Sequence, residues 1–309
     1  MGIIDTLSAG FSTVNRHLWL IAIPMVLDLI IWFSPPITIA PLAAGAIKAF
    51  EESLASAGTE VTDPPSSQPT EEMKATARQL AEAVGNFNLT ALLAWQVPSL
   101  GLAPLGLALS GARIDVGGAL AFVFIVTALV LGALLYAALY FGAVAEPIRG
   151  GTLYRGIFTR RIWSNGARFL GYYALVAAVT IPALLLLSLL GGLASLVSSA
   201  LASFTGAVAS VMTVAAAVYL FFVDEAIFVG NMGPVQAVRS SLALIWRNYW
   251  TSLLLMVVIN VLLVGTHIAW SIITKSPAGA MVAILGNGYI ATGLTAAAMI
   301  FYRQRALGW

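Results

Sequence analysis

Long apolar segments with almost no charge constrain the fold of this chain more than any other feature. Six of them run for roughly 20 to 30 residues, the length that an α-helix needs to cross a hydrocarbon core about 30 Å thick. Only 9% of the 309 residues are charged, against about 25% in soluble domains. A water-soluble fold of this composition would expose large apolar patches. The sequence therefore predicts an all-α integral membrane protein.

The six predicted spans are separated by polar or turn-forming stretches. They cover residues 18–41, 116–145, 169–190, 196–223, 251–270 and 280–302, with a tight turn expected near Gly191-Gly192. Pro35 and Pro36 are expected to kink or break the first span, because proline removes a backbone donor and clashes with the preceding turn. The chain reads as one polytopic membrane domain, 1–309, with an outer helical insertion at 43–115.

The insertion has a pattern of its own. A polar linker at 59–68 precedes an amphipathic helix predicted at 70–84. Residues 89–109 are apolar but are interrupted by two prolines and two glycines. This segment is either interfacial or re-entrant, or it is a further span. A further span would place the arginine-rich segments outside, which the charge distribution disfavours.

Amphipathic helices are predicted before three of the spans. Residues 2–15, 153–162 and 235–245 carry apolar side chains at spacings of three and four, which share one helical face. Such helices lie in the plane of a membrane surface. We therefore expect three units, each a surface helix followed by a pair of spans. Either a true internal repeat or generic interfacial arginine and tryptophan anchors would produce this pattern.

The distribution of basic residues predicts the orientation. With the N-terminus inside, the inner segments hold ten lysines and arginines and the outer segments hold five. Eight of the thirteen acids fall in the outer insertion. Arginine outnumbers lysine twelve to three, and alanine is abundant, which suggests a bacterial source. We expect a bacterial cytoplasmic membrane protein with both termini in the cytoplasm.

One stretch, residues 222–254, carries a family resemblance. An acid at the end of a span is followed by a spaced pattern of glycine, alanine, Arg-Ser, leucine, asparagine and tryptophan. These are Glu225, Gly233, Ala237, Arg239-Ser240, Leu242, Asn248 and Trp250, and Glu146 is the equivalent acid in the preceding unit. The stretch resembles bacterial multi-pass proteins similar to the membrane domain of glycerophosphoryl diester phosphodiesterases. The resemblance implies a fold and no activity, because the sequence leaves no room for the catalytic barrel.

Asp28 is the one charged residue near the middle of a predicted span. Ionisable groups at that depth usually face other helices, and Asn260 and Asn287 are polar residues of later spans. We expect Asp28 to lie within reach of one of them. The site is either a proton or substrate site, or a hydrogen bond that holds two helices together.

The surface helices supply candidate contacts with anionic lipid headgroups. These are Arg16, Arg155, Arg160, Arg161, Arg168, Arg239 and Arg247. Asp224 and Glu225 are expected to form a salt-bridge collar with the inner arginines. No nucleophile, zinc or nucleotide motif is present in the sequence, so no enzyme activity, cofactor or metal is expected. The scattered basic residues do not suggest nucleic acid.

The expected function is a non-catalytic membrane scaffold or an accessory subunit of a membrane complex. Its partners would be membrane lipids and either another membrane protein or further copies of the chain. Small residues of the fourth span, among them Ala202, Gly206 and Ser210, favour close helix packing. The alternative is a transporter or lipid-handling permease with a midplane site at Asp28.

Overall fold

The computed structural model describes residues 2–57, 71–100, 112–150 and 155–308. Within these ranges the chain is almost entirely helical. The α-helices are α1 (Ile3–Arg16), α2 (Ala22–Phe33), α3 (Ala40–Ala57), α4 (Glu71–Gly85), α5 (Ala119–Arg149), α6 (Arg155–Val197), α7 (Ser199–Leu220), α8 (Val223–Phe228), α9 (Pro234–Arg247), α10 (Tyr249–Ile273) and α11 (Pro277–Ala306). Two 3-10 helices, Leu18–Ile21 and Leu89–Ala94, and two short strands, β1 (Ile37–Thr38) and β2 (Ile114–Asp115), complete the described elements.

Five stretches of helix in the described ranges are long and apolar enough to cross a membrane. They lie in α5, α6, the pair α7 and α8, α10 and α11. A sixth is obtained if α1 and the segment Leu18–Phe33 count as one broken span, since the two meet at 95°. The chain is therefore a multi-pass, helical, membrane-spanning protein, as its composition predicts.

The first predicted span is shorter than expected. Helix α2 ends at Phe33, and Pro35 and Pro36 lead into β1 instead of continuing to residue 41. The segment Leu18–Phe33 is about 26 Å long, slightly less than the hydrocarbon core. The double proline thus ends the helix, because neither ring leaves room for the preceding helical turn.

Helix α6 corrects two further predictions. It runs without interruption from Arg155 to Val197, so no break separates the second surface helix from its span at 165–169. The turn expected at Gly191-Gly192 lies instead at Ser198, whose side chain accepts a hydrogen bond from Leu201 N and caps α7. Serine is a strong N-cap residue, whereas a glycine inside a helix costs only about 1 kcal/mol.

The sixth predicted span is also continuous. Residues 286–289, which include two glycines, lie inside the unbroken helix α11. Gly286 packs against the ring of Trp270 so closely that a Cβ atom would lie 2.5 Å from it. Here glycine provides space for an aromatic side chain and not a bend.

The described chain divides into two compact units, Met1–Met25 with Leu134–Trp309 and Val26–Ala133. Helix α11 is the core of the first unit, with most of its length buried. Helix α1 packs against α11 at very short range. A Cβ atom on Gly10 would lie 2.5 Å from Gly293 O and 2.7 Å from Ala297 N. Only glycine permits this approach of the two backbones.

Helices α1 and α9 have the same construction. Each has 14 residues, starts after an extended glycine (Gly2 or Gly233) and ends at an arginine. The following residue has φ −136° at His17 and φ −129° at Asn248. This likeness supports an internal repeat that relates the first and third of the three predicted groups, each a surface helix followed by a pair of spans.

The apolar stripes that predicted these two helices are only partly exposed. Ile4 and Val235 are 81% and 52% exposed, whereas the stripe residues Val14 and Ile245 are buried. The buried positions of the two helices correspond: Thr6, Gly10 and Val14 of α1, and Ala237, Ser241 and Ile245 of α9. Small and apolar side chains together therefore hold both helices to the protein, and the exposed apolar ones remain available to lipid.

The second unit contains the predicted insertion and residues on both sides of it. Helix α4, predicted at 70–84, packs on α3 where a Cβ atom on Gly85 would lie 3.1 Å from Ala40. The linker at 59–68 lies outside the described residues. So does the end of the segment 89–109, whose described part holds only the short 3-10 helix Leu89–Ala94 and irregular backbone.

Arg113 joins three parts of the second unit. Its Nε donates to Thr38 Oγ1 and Asp115 Oδ1, each at 2.8 Å, and its Nη2 donates to Asn86 Oδ1 at 3.0 Å. Thr38 also donates to Asp115 Oδ1 at 2.5 Å. This hydrogen bond, aided by the guanidinium, holds the pKa of Asp115 below its usual value. The parallel pairing of β1 with β2 is thereby fixed to the end of α4.

Candidate functional site

A buried carboxylate and two arginines meet where α5 ends and α6 begins. Arg161 Nη1 donates to Glu146 Oε1 at 2.9 Å, and Arg149 Nη1 lies 3.8 Å from Glu146 Oε2. The Glu146 side chain is 3% exposed, whereas that of Arg161 is 45% exposed. We call Glu146, Arg149 and Arg161 the arginine cluster. Its Arg149 Nε and Nη2 are buried and have no hydrogen-bond partner among the described residues.

A second arginine contact fixes the turn between α8 and α9. Arg168 Nη1 donates to Asn231 O at 2.7 Å and to Asn231 Oδ1 at 2.6 Å. Asn231 has φ 54°, a left-handed conformation that asparagine tolerates better than most residues. Arg168 therefore holds this turn against α6.

Asp224 and Glu225, the acids before this turn, do not form the predicted ion pairs in the described structure. Neither Asp224 nor Glu225 forms an ion pair within the part of the chain that the structure describes, so the predicted salt-bridge collar is wrong at these residues. Glu225 is buried, and its Oε2 has no hydrogen-bond partner. Glu146 is the carboxylate that pairs with arginines, and it lies three residues before Arg149 in the chain.

The sequence analysis did not predict the contacts that two serines of α9 make with other helices. Ser241 Oγ donates to Tyr219 O at 2.7 Å and accepts from Phe222 N at 3.2 Å, where α7 ends. The hydroxyls of Ser240 and Tyr302 are 2.6 Å apart, which joins α9 to α11. A polar pair inside an amphipathic helix was the available signal, but its partners are 19 or more residues away in sequence.

Asp28 is buried in the second unit, and its partners come from the insertion. Its Oδ1 accepts hydrogen bonds from the Ser99 hydroxyl and, at 3.1 Å, from Leu100 N. Its Oδ2 has no hydrogen-bond partner in the part of the chain that the structure describes. The Asp28 carboxylate thus holds the irregular backbone at 99–100 against α2. This is a packing role, as in one of the two interpretations, but it joins a helix to a loop and not two helices.

The other two residues of the expected polar site lie in the first unit. Asn260 is exposed, and its Nδ2 donates to Met256 O of its own helix at 2.8 Å. Asn287 is buried in α11, and its Nδ2 has no partner. The expected pairing of Asp28 with either asparagine stays a prediction.

The candidate headgroup contacts fall into three groups. Arg161 and Arg168 are engaged by protein groups, as described above. The side chain of Arg155 lies outside the described structure. The remaining four are exposed and have no ion-pair or hydrogen-bond partner in the described ranges: Arg16, Arg160, Arg239 and Arg247. These four stay predicted lipid contacts.

Two open grooves lie on the surface. One, of about 470 Å³, runs between α3 and α4 and is bordered by Lys48, Glu51, Arg78 and Glu82. Its floor is formed by alanines and Gly85, and Arg78 Nε donates across it to Glu51 Oε1 at 2.7 Å. The other, of about 540 Å³, lies between α7 and the start of α10. No group of three or more metal-ligating side chains occurs in the described ranges.

These features define the chain as a multi-pass membrane protein in which several polar side chains join the ends of different helices. Comparisons with family models, with characterised proteins and with solved structures find no match. The resemblance of residues 222–254 to the membrane domain of glycerophosphoryl diester phosphodiesterases stays a proposal.

Proposed function

We propose that this protein is a non-catalytic scaffold or accessory subunit of a membrane complex, and that the hairpin of α6 and α7 binds a partner membrane protein. One observation carries this proposal. The apolar part of α6 has no buried residue over its most hydrophobic stretch, and α7 has none over its full length, whereas α11 is mostly buried. The hairpin therefore has two helical surfaces that its own chain leaves uncovered.

The composition of α7 favours a protein partner on one of these surfaces. Gly206, Thr213 and Ala217 are exposed and lie on one face at spacings of seven and four. A Cβ atom on Gly206 would meet nothing within 4 Å. Small residues on a membrane helix allow another helix to approach closely, which aliphatic lipid chains do not require.

The alternative function, a transporter or permease with a site at Asp28, has weaker support. The Asp28 carboxylate already accepts two hydrogen bonds from Ser99 and Leu100. Asn260, its expected polar neighbour, bonds to its own helix. A packing role accounts for both observations without a substrate.

Replacing Gly206 with leucine is expected to release the partner. Wild type and variant, each tagged and purified in mild detergent, are compared for stoichiometric co-purifying proteins by mass spectrometry. Leucine has room at this position within the monomer, so the variant should keep the wild-type melting temperature while at least about tenfold less partner is recovered, as expected for 1.4 kcal/mol or more of lost binding.

The matched control is Gly265→Leu, in α10. Gly265 is also an exposed glycine within a span, and nothing lies within 4 Å of a Cβ atom there. Equal loss of the partner in both variants, or retention in both, would refute a role for the α7 face. Recovery of further copies of this chain alone would replace the accessory-subunit proposal with a homo-oligomer.

We also propose six spans, the first of them Leu18–Phe33 preceded by the surface helix α1, with both termini on the cytoplasmic side of a bacterial inner membrane. The bias of ten basic residues against five supports this orientation. Single cysteines at Ser164 and Ser276, both exposed, provide the test. An impermeant thiol reagent added to intact cells should label position 276 and not position 164, and the reverse result would invert the topology.

A further inference from the structure

The groove between α7 and α10 is apolar along its length. Val211, Val214, Ala215 and Val218 of α7 form one wall, and Tyr249 and Leu253 of α10 border the other. From Ser210 to Tyr219 the α7 wall is about 14 Å long, which is close to half of a hydrocarbon core about 30 Å thick. The length of the groove therefore matches the thickness of one leaflet of the hydrocarbon core.

The end of the groove at Tyr249 is cationic. Arg247, the last residue of α9, is exposed and has no ion-pair or hydrogen-bond partner in the described ranges. Arg305 is also exposed, and its Nη1 donates to Asn248 Oδ1 at 3.1 Å, which holds a second guanidinium beside the start of α10. Trp250 is 78% exposed at the same level, as expected for an interfacial aromatic residue.

The charge at one end of the groove favours a lipid over a protein helix. The walls are mostly apolar, and the exposed guanidinium groups of Arg247 and Arg305 lie beside the residues that begin α10. A mostly apolar groove with two exposed cations at the membrane boundary matches an acyl chain attached to an anionic headgroup.

We propose that this groove binds one anionic phospholipid, with an acyl chain along α7 and the phosphate headgroup at Arg247 and Arg305. Most of the groove wall is separate from the partner surface of α7, because the centre of the wall lies roughly 130° around the helix from Gly206. Ser210, at one end of the groove, lies only about 40° from Gly206 and borders both surfaces.

Native mass spectrometry of the purified protein tests the proposal. The protein is exchanged into detergent with equal amounts of phosphatidylglycerol and phosphatidylcholine, and the lipids that remain bound are counted. Wild type should retain one phosphatidylglycerol molecule, with a preference on the order of tenfold, because its headgroup keeps the net negative charge that choline neutralises in phosphatidylcholine. Absence of a retained lipid, or equal retention of both lipids, would overturn the proposal.

Two pairs of variants separate the chain site from the headgroup site. Ala215→Phe fills the groove and should remove the bound lipid, whereas Ala216→Phe, exposed on the same helix outside the groove, should not. Arg247→Gln should reduce the preference for phosphatidylglycerol about fivefold, whereas Arg78→Gln, at an exposed arginine of α4 that is not a candidate headgroup contact, should leave it unchanged.

Equal effects within either pair would mean that retention reflects general hydrophobic or electrostatic attraction and would refute a built site. Melting temperatures are measured for all four variants. If Ala215→Phe unfolds the protein, Ser210→Phe at the other end of the groove replaces it, and the arginine pair tests the headgroup site independently.

Discussion

Replacing Gly10 with alanine is expected to lower the free energy of unfolding by about 1–3 kcal/mol, the usual cost of overpacking a tight interface. The added Cβ atom would lie 2.5 Å from Gly293 O and 2.7 Å from Ala297 N. Both are backbone atoms of the mostly buried helix α11, so no side-chain rotation relieves the clash. Helices α1 and α11 would have to separate. Thermal unfolding in detergent, followed by circular dichroism, measures the effect.

The control is the same substitution at Gly265, where a Cβ atom meets nothing within 4 Å. Alanine has a higher helix propensity than glycine, so Gly265→Ala should leave stability unchanged or raise it by up to about 1 kcal/mol. A Gly10→Ala protein as stable as the Gly265→Ala protein would contradict the close packing of α1 on α11.

Replacing Glu146 with glutamine is expected to destabilise the protein by about 3 kcal/mol. Glutamine keeps the size and one acceptor oxygen, but it removes the only carboxylate paired with Arg161 and Arg149 in the described ranges. Breaking a buried ion pair from one side typically costs about 3–5 kcal/mol, because the remaining charge loses its partner. We expect the lower end of that range, since Arg161 is 45% exposed and can turn toward water.

An exposed pair of similar geometry provides the comparison. Arg78 lies 2.7 Å from Glu51, and their side chains are 62% and 33% exposed. Glu51→Gln should therefore cost no more than about 1 kcal/mol. In the double variant Glu146→Gln/Arg161→Gln, part of the lost stability should return. Equal costs for the Glu146 and Glu51 variants would show that burial contributes nothing to the arginine cluster.

Helix positions were predicted well where the signal is local. The amphipathic patterns at 2–15 and 235–245 correspond to α1 and α9, and Gly233-Pro234 marks the start of α9 as an N-terminal proline should. The predicted faces were less informative. The apolar stripes predicted the helices and include the buried residues Val14 and Ile245, but the packed faces also contain the small residues Thr6, Gly10, Ala237 and Ser241, which hydrophobic periodicity does not identify.

Helix ends and polar partners were predicted less well. The turn at Ser198, the continuous helix α6 and the end of α2 at Phe33 differ from the expected boundaries. Asp28 was recognised as a buried polar group, but its partners Ser99 and Leu100 are 71 and 72 residues away in sequence. Arg168 and Asn231 are separated by 63 residues. No local pattern links residues so far apart.

The sequence by itself determined that this protein is helical and spans a membrane, because both properties follow from the length of uncharged apolar segments and from the need to satisfy every backbone group in lipid. Only the tertiary structure decided which small residues form the contacts and which arginines are engaged by protein groups. Those outcomes depend on which helix ends meet: Gly10 requires the backbone of α11, and Glu146 requires Arg161 from the next helix. Each apolar residue favours the membrane environment separately, whereas a close contact or an ion pair exists only when two distant segments are brought together.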